Sequence, residues 1–349
     1  MFKLKRFFLF LLILAPILLI WRTFHEYQDD WARIESKKIP IVYSDNYDIT
    51  LFGLQNLHPF DTQKYSKIAS HLTSNTTIEK SNFYAPQKIS QEELLLVHSE
   101  DYLDSLKNSE NLAYISELGI LKKIPNFILQ ERLLDSIRFA TGGTVLGAEL
   151  AIKEGWAINL AGGYHHTKAE EGGGFGFMAD VPIAIKKLWQ KNPKLKVLIV
   201  DLDAHQGNGN EAIFGADKRI FIMDVYGRDN YPRDEEVKEF IDFDRPVGSL
   251  TNDEYLDVVL NTLPLAIKNS QPDLIVYNAG SDVLLGDPLG KMNLTKTGII
   301  KRDELVFKYA VESKVPILMV LSGGYSSVSS KIIGVSIENI LKNVLLVTK

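Results

Sequence analysis

Short apolar runs rich in β-branched residues recur along this chain, and each is followed by polar residues or glycine. Their near-continuous apolar character is typical of strands buried on both faces of a sheet. Amphipathic stretches with helical spacing separate them, and this alternation predicts an α/β domain with a parallel sheet flanked by helices. The predicted strands begin at Ile39, Trp156, Lys196, Arg219, Asp273 and Pro316, and the predicted helices cover residues 130–153, 180–190, 252–269, 295–312 and 327–341.

The residues that follow these runs are ones that take part in chemistry. In parallel α/β sheets, ligands bind outside the carboxyl ends of the strands. Histidine, aspartate and tyrosine follow several different runs here, whereas ordinary solvated loops are rich in Lys, Glu and Ser. The sequence therefore predicts a functional site at this edge of the sheet, with the candidate residues His165, His166, Asp201, Asp203, His205, Asp224, Asp282 and Tyr325.

Asp201, Asp203 and His205 form the densest of these clusters, directly after the apolar run KVLIV. Two carboxylates at the end of an apolar strand are costly unless a cation neutralises them. The chain has no cysteine, which excludes thiolate metal sites, disulfides and a cysteine nucleophile. Oxygen and nitrogen ligands with an open position are typical of catalytic zinc, and the same donors would accept Fe²⁺, Co or Mn.

The adjacent His165 and His166 are candidates for metal ligands or for general acid–base groups, and the alternative is a purely structural pair. Glycines stand before and after them, which favours a shaped site because glycine allows close backbone approach. Tyr325 follows a glycine pair at the end of the last predicted strand. Its hydroxyl could donate a hydrogen bond to a developing oxyanion, although a tyrosine taken alone is more often a packing residue.

The N-terminal residues 1–24 contain an unbroken apolar run preceded by Lys3, Lys5 and Arg6. This pattern predicts an uncleaved signal-anchor, a linker over 25–38 and a catalytic domain over 39–349. The flanking cations predict a membrane-anchored protein whose catalytic domain is periplasmic or otherwise extracytoplasmic, with a cytoplasmic domain as the alternative. The formal net charge of −5 argues against direct nucleic-acid binding.

Four segments together resemble the signature blocks of the histone deacetylase family, in that family's order. They read NLAGGYHHTKAEEGGGFGF, VDLDAHQGNGNEAIF, YNAGSDVLLGDPLG and LSGGYSSV. Further segments, among them IMDVYGRDNYP and GIIKRDELVF, look most like the class IV branch and its bacterial relatives. The resemblance implies a single-domain arginase/deacetylase fold with an eight-stranded parallel sheet flanked by helices.

The same resemblance implies roles for individual residues. It makes His165 and His166 the tandem catalytic histidines, with Asp201 and Asn208 as their respective partners, and Tyr325 the residue that polarises the acyl carbonyl. Asn208 departs from the aspartate of class I enzymes, and no counterpart of their rim aspartate is evident. The implied ligands are Asp203, His205 and Asp282 for zinc and Asp201 with Asp224 for a structural potassium ion, and the implied tunnel lining is Gly174, Phe175, Tyr231 and Leu289.

The implied activity is zinc-dependent hydrolysis of the amide bond of acylated lysine side chains in peptides or proteins. Alternatives are deacetylation of polyamines or other small acylated amines, a ureohydrolase on the same fold, and a catalytically silent acyl-lysine binding module. Class IV relatives are associated with long acyl chains, and Gly176 at the expected tunnel foot predicts room for them. The oligomeric state stays open.

Overall fold

The computed structural model describes residues 38–347, except His58 and Ala216. Its described part contains a seven-stranded sheet in the order β1-β2-β7-β6-β3-β4-β5. Every neighbouring pair of strands is parallel. The strands are β1 (Ile41–Val42), β2 (Trp156–Asn159), β3 (Val197–Asp201), β4 (Ile220–Gly227), β5 (Phe243–Val247), β6 (Leu274–Asn278) and β7 (Ile317–Val320).

Helices connect the strands, as parallel pairing requires. The α-helices are α1 (Lys64–Asn75), α2 (Gln91–Leu94), α3 (Glu100–Ser105), α4 (Ser109–Ile115), α5 (Asn126–Leu129), α6 (Asp135–Glu154), α7 (Asp180–Lys191), α8 (Asn208–Phe214), α9 (Asn252–Ser270), α10 (Lys296–Glu312) and α11 (Ser329–Asn343). A π-helical turn, Gln130–Leu134, precedes α6. Short 3₁₀ turns lie at Asp45–Tyr47, Leu54–Leu57, Lys80–Asn82, Gly119–Lys123 and Lys238–Phe240.

The central strands are buried on both faces, as their sequences VLIVD and LIVYN predict. β3 pairs with β4 on one side and with β6 on the other, so Asp201 is aligned with both Asp224 and Asn278. This register brings the carboxyl ends of three strands to the same level. The polar residues that follow these strands therefore lie at one edge of the sheet.

The six predicted strands are all present, but the expected count of eight is wrong for the described residues, which contain seven strands. The sequence analysis missed β5, which carries Asp244, Arg245 and Pro246 and is mostly half-buried. Proline and charged residues are tolerated there because β5 is an edge strand. An alternating or apolar pattern is therefore absent from its sequence.

None of the helices within residues 38–347 is both long enough and apolar enough to cross a bilayer. The predicted anchor, residues 1–24, lies outside the described residues.

Candidate metal centre and active site

Asp203, His205 and Asp282 converge at the carboxyl edge of the sheet. Asp203 and His205 follow β3, and Asp282 follows the paired strand β6. All three are buried, and one potential ligand atom from each lies within 4.8 Å of the others. Backbone amides orient the two carboxylates, since Gly323 N donates to Asp203 Oδ2 at 2.9 Å and Ala204 N donates to Asp282 Oδ1 at 2.9 Å.

The electrostatics of this cluster fit a bound cation. His205 Nδ1 lies 3.0 Å from Asp203 Oδ1 and 3.1 Å from Asp282 Oδ2. Burial alone would lower the pKa of His205, yet its hydrogen bonds to the two carboxylates raise that pKa to about 11. Burial also raises the pKa of Asp282 to about 6. Two buried carboxylates that stabilise a positive charge between them form a donor set suited to a divalent metal ion.

Asp201 orients His165 and favours its protonated form, the imidazolium. His165 Nδ1 donates to Asp201 Oδ2 at 2.8 Å, and Asn278 Nδ2 donates to the same carboxylate at 2.9 and 3.0 Å. Burial opposes the charge on His165, but Asp201 and Asp203 raise its pKa to about 9. Asp201 is therefore placed to orient this ring and to stabilise its protonated form.

His166 is in the opposite electrostatic state. Its Nδ1 lies 2.9 Å from Asn208 Oδ1, a neutral acceptor. Burial and the neighbouring charges of His165 and His205 lower the pKa of His166 well below its ordinary value. The two rings lie with their centroids 4.2 Å apart. Adjacent histidines thus supply one imidazolium and one neutral imidazole at the same edge, which is a combination suited to acid–base chemistry.

The loop that carries Tyr325 is fixed from several sides. Ser322 has a left-handed backbone with φ of 47°, and its hydroxyl and its amide bind the carbonyls of Gly163 and Gly162 at 3.0 Å each. Gly323 must be glycine, because a Cβ there would lie 2.2 Å from Asp282 Oδ2. Burial raises the pKa of Tyr325 well above its ordinary value, so its hydroxyl remains a donor.

Aromatic side chains border the approach to these groups. The Tyr231 ring stands edge-on to His166 at 5.0 Å, and the Phe175 ring stands edge-on to Tyr325 at 5.8 Å. Gly174 allows the close approach, because a Cβ there would lie 2.2 Å from His166 Cδ2. The predicted tunnel residue Leu289 is half-buried on the neighbouring loop and lines neither of the two cavities described next.

Two cavities meet at His166. A polar groove of about 610 Å³ includes Tyr231, Glu117 and Asp234. A narrower apolar cavity of about 90 Å³ includes His165, Tyr325 and Phe175, together with the apolar residues Ile49, Leu51, Phe60, Leu118, Leu121, Leu133, Ile137 and Phe177. Because His166 lines both, the candidate site is open to the groove on one side and to apolar space on the other.

Gly176 does not lie where the sequence analysis expected it. A Cβ at this position would lie 2.2 Å from Thr167 Oγ1 and 3.2 Å from the Gly173 carbonyl oxygen. Gly176 is therefore packed inside its own loop and does not line the apolar cavity. The residue is glycine because the loop closes tightly there, and the apolar cavity is lined by other residues.

Asp224 is placed beside Asp201 by the β3–β4 register. Its Oδ2 accepts a hydrogen bond from Gly207 N at 2.8 Å, while Oδ1 and Glu211 Oε1 are buried without a hydrogen-bond partner. Burial, with Asp201 and Glu211 nearby, raises the pKa of Asp224 well above its ordinary value, and burial raises that of Glu211 to about 7. This excess of buried carboxylate is compatible with the potassium site that the resemblance implies, which stays a prediction.

Several supporting residues were missed by the sequence analysis. Lys64 on α1 is fully buried and donates to the Ser322 carbonyl at 2.6 Å, and burial lowers its pKa to about 8. Arg302 on α10 is also fully buried and donates from Nη1 to the carbonyls of Leu202 and Gly280 at 2.9 and 2.7 Å. These carbonyls flank the metal-site loops. Nothing local distinguishes such cations from exposed ones on an amphipathic helix.

A parallel α/β sheet with a buried Asp–His–Asp set, paired histidines and a tyrosine at its carboxyl edge defines the class of metal-dependent hydrolases. Comparison with protein families matches residues 58–340 to the Histone deacetylase domain. The chain therefore belongs to the histone deacetylase family, within the arginase/deacetylase superfamily, and is an amidohydrolase.

Individual proteins that are similar to this chain include a histone deacetylase. Histone deacetylase 2 of Arabidopsis thaliana is 44% identical over 313 residues, which cover 89% of this chain and 81% of that protein. An uncharacterized protein of Picosynechococcus sp. is 32% identical over 287 residues, covering 82% of this chain and 92% of its own. A crystal structure of the HDA15 HD domain has the same fold, with a TM-score of 0.70, 20% identity and 88% coverage of each chain.

The plant relative bears on two predictions. The family is supported, but the narrower assignment to class IV and to bacterial relatives is not. The membrane-anchored, extracytoplasmic localisation predicted from the apolar N-terminal run and its flanking cations is wrong, since the chain is 44% identical over 89% of its length to a plant histone deacetylase.

Proposed function

We propose that this protein hydrolyses the amide bond of acetylated lysine side chains in peptides or proteins. The observation that carries the proposal is the convergence of Asp203, His205 and Asp282 with a neutral and a charged histidine at the end of an aromatic-walled approach. Relatives named as histone deacetylases support the same substrate class. They do not favour the polyamine or silent-module alternatives.

Asp203, His205 and Asp282 are the residues that would hold the catalytic metal, zinc by family and with Fe²⁺ also compatible with the donors. When bound, such an ion polarises the acyl carbonyl and lowers the pKa of a bound water. Asp201 and Asp224 are the residues we assign to a structural potassium ion, because they lie side by side in the β3–β4 register and the raised pKa of the buried Asp224 indicates a carboxylate whose charge a cation would stabilise.

His166 acts as the general base in this proposal. Its low pKa keeps the ring neutral, and Nδ1 is engaged by Asn208, so Nε2 carries the free lone pair. His166 accepts a proton from the attacking water and returns it to the leaving lysine amine. His165, charged and fixed by Asp201, stabilises the negative charge that develops on the substrate.

Tyr325 donates its hydroxyl hydrogen bond to the developing oxyanion. Burial keeps the hydroxyl protonated, and the hydrogen bonds of Ser322 hold the loop before the reaction begins. Phe175 and Tyr231 flank the aliphatic stem of the lysine, and Gly174 lets the loop that carries Phe175 approach the His166 ring. Leu289 remains a prediction for the tunnel lining.

Turnover of an acetyl-lysine peptide by the metal-loaded protein tests this proposal. We expect release of acetate, loss of activity on chelation and recovery on adding zinc. An inactive protein that still binds the acetylated peptide would indicate the silent binding module. A protein active on acetylated polyamines alone would replace the peptide substrate class.

One observation favours acyl groups longer than acetyl. The apolar cavity contacts Tyr325, His165 and His166 and continues between the side chains of Leu118, Leu133 and similar residues. Apolar space beyond the reacting groups would accept methylene groups of a longer chain. We therefore propose that the enzyme also removes medium or long acyl chains, and that this preference arises from the cavity rather than from Gly176.

A further inference from the structure

Asp234 is a part-buried carboxylate on the loop that also carries Tyr231. Its Oδ2 accepts hydrogen bonds from Lys168 Nζ at 2.8 Å and from Asn208 Nδ2 at 3.2 Å. On its other side, Asn208 contacts His166 Nδ1 at 2.9 Å. One chain of hydrogen bonds therefore runs from a lysine in the polar groove to the ring that serves as the base.

The orientation of the Asn208 amide decides which nitrogen of His166 is free. An asparagine side chain has an oxygen that accepts and an NH₂ that donates, and the two orientations have nearly the same shape. With the oxygen towards His166, the ring proton sits on Nδ1 and Nε2 is a base. With the NH₂ towards His166, the ring proton moves to Nε2 and the lone pair leaves the site.

Asp234 removes this ambiguity, because an ionised carboxylate only accepts hydrogen bonds. The NH₂ of Asn208 must face Asp234, and the amide oxygen must then face His166. Partial burial alone would raise the pKa of Asp234, but the hydrogen bonds from Lys168 and Asn208 lower it. The side chain of Gln206 holds the backbone of the same segment. It donates to the Asp234 carbonyl and accepts from the Asp234 amide, at 3.0 Å each.

We propose that Asp234 is a positioning residue that fixes the tautomer of His166 through the amide of Asn208. The inference rests on the proposed function, in which His166 is the general base. It explains how a neutral asparagine serves beside a catalytic histidine. The carboxylate that fixes the geometry is Asp234, which lies on a different loop and acts on His166 through Asn208.

Kinetics with Asp234→Ala give the first test. We expect kcat on an acetyl-lysine peptide to fall at least about tenfold, with KM changed less than about twofold, because substrate binding does not use the tautomer. A general disturbance of the loop would displace Tyr231 and raise KM instead. Asp229→Ala is the matched control, since Asp229 is an exposed acid on the same segment, and it should leave both constants unchanged.

A second substitution separates orientation from structure. In the Asp234→Ala background, Asn208→Asp places a carboxylate beside His166. Both oxygens of an ionised carboxylate accept hydrogen bonds, so neither orientation presents a donor to the ring. We expect the double variant to recover to within about threefold of wild-type kcat. Wild-type kcat in Asp234→Ala, or a double variant as slow as Asp234→Ala, would overturn the proposal.

The ring ¹⁵N resonances of histidine-labelled, metal-loaded protein test the tautomer without turnover. The His166 signals are identified by their loss in His166→Gln. We expect wild-type His166 to carry its proton on Nδ1 and Asp234→Ala to show a mixture of tautomers. A proton on Nε2 in the wild type, or an unchanged spectrum in Asp234→Ala, would refute the inference. Absence of wild-type deacetylation would instead refute the proposed function, and the spectrum would still decide the role of Asp234.

Discussion

Filling the apolar cavity should change the acyl preference of the enzyme while sparing acetyl-lysine. Leu118 is a partly buried leucine that lines this cavity. Leu118→Phe would place the added carbons in the cavity. The matched control is Leu146→Phe, which changes another partly buried leucine that packs on the same core but does not line the cavity.

The size of the effect follows from the cavity volume of about 90 Å³. One water-sized group needs about 10–15 Å³ of such volume, so half of the cavity holds roughly four methylene groups. Each buried CH₂ contributes about 0.8 kcal/mol, which gives about 3 kcal/mol for four. A hexanoyl chain could therefore exceed acetyl by up to about 200-fold in kcat/KM.

The assay compares kcat/KM for a series of acyl-lysine peptides from acetyl to myristoyl. We expect Leu118→Phe to lower the hexanoyl-to-acetyl ratio at least about tenfold, equal to about 1.4 kcal/mol or two methylene groups. Acetyl turnover should stay within about threefold of wild type. A wild-type enzyme faster on acetyl than on every longer chain, or an equal loss on all substrates in Leu118→Phe, would refute the cavity argument.

Three further predictions concern the reacting groups, the scaffold and the metal. His166→Ala and Tyr325→Phe should each lower kcat at least about 10²-fold, because they remove the base and an oxyanion donor; near-wild-type turnover in both would be incompatible with their roles. Arg302→Met should reduce the free energy of unfolding by about 3–5 kcal/mol in urea titration, since it leaves the buried Asp303 carboxylate without its cation and two carbonyls without their arginine donor; a loss below about 1 kcal/mol would contradict this. Burial disfavours a charged His205, yet Asp203 and Asp282 raise its pKa to about 11, so the metal-free protein is protonated there at neutral pH. Zinc must displace that proton, so affinity should rise about tenfold per pH unit from pH 6 to 8, with about one proton released in calorimetry; affinity independent of pH would argue against these ligands.

The fold and the site could be predicted from the sequence wherever a local residue pattern and the order of a parallel sheet indicate the same arrangement. β3 and the cluster Asp201, Asp203 and His205 were both predictable, because an apolar strand followed by acids carries its own signal. Asp282 could be joined to them since parallel strands end at a common edge. The structure brings these residues together, while their catalytic roles remain proposals.

Other parts depended on contacts distant in sequence. Asp234 reaches Asn208 across 26 positions, and Arg302 reaches Leu202 across 100. Neither distance can be inferred from the local residues, which look like an ordinary solvated loop and an ordinary charged helix. Gly176 shows the reverse error, since a glycine required by its own tight loop was interpreted as a cavity wall.

The strand order also constrains how the chain folds. β2 pairs with β7, with Trp156 opposite Ile317, and β3 pairs with β6, so the sheet interleaves segments far apart along the chain. Pairing segments that are far apart in sequence costs loop-closure entropy before any contact is gained, so such pairings form slowly. Asp203 and Asp282 approach each other only after β3 has joined β6. A metal ion that binds both can stabilise only states in which these strands are paired, so it should slow unfolding while leaving the early steps of refolding unchanged.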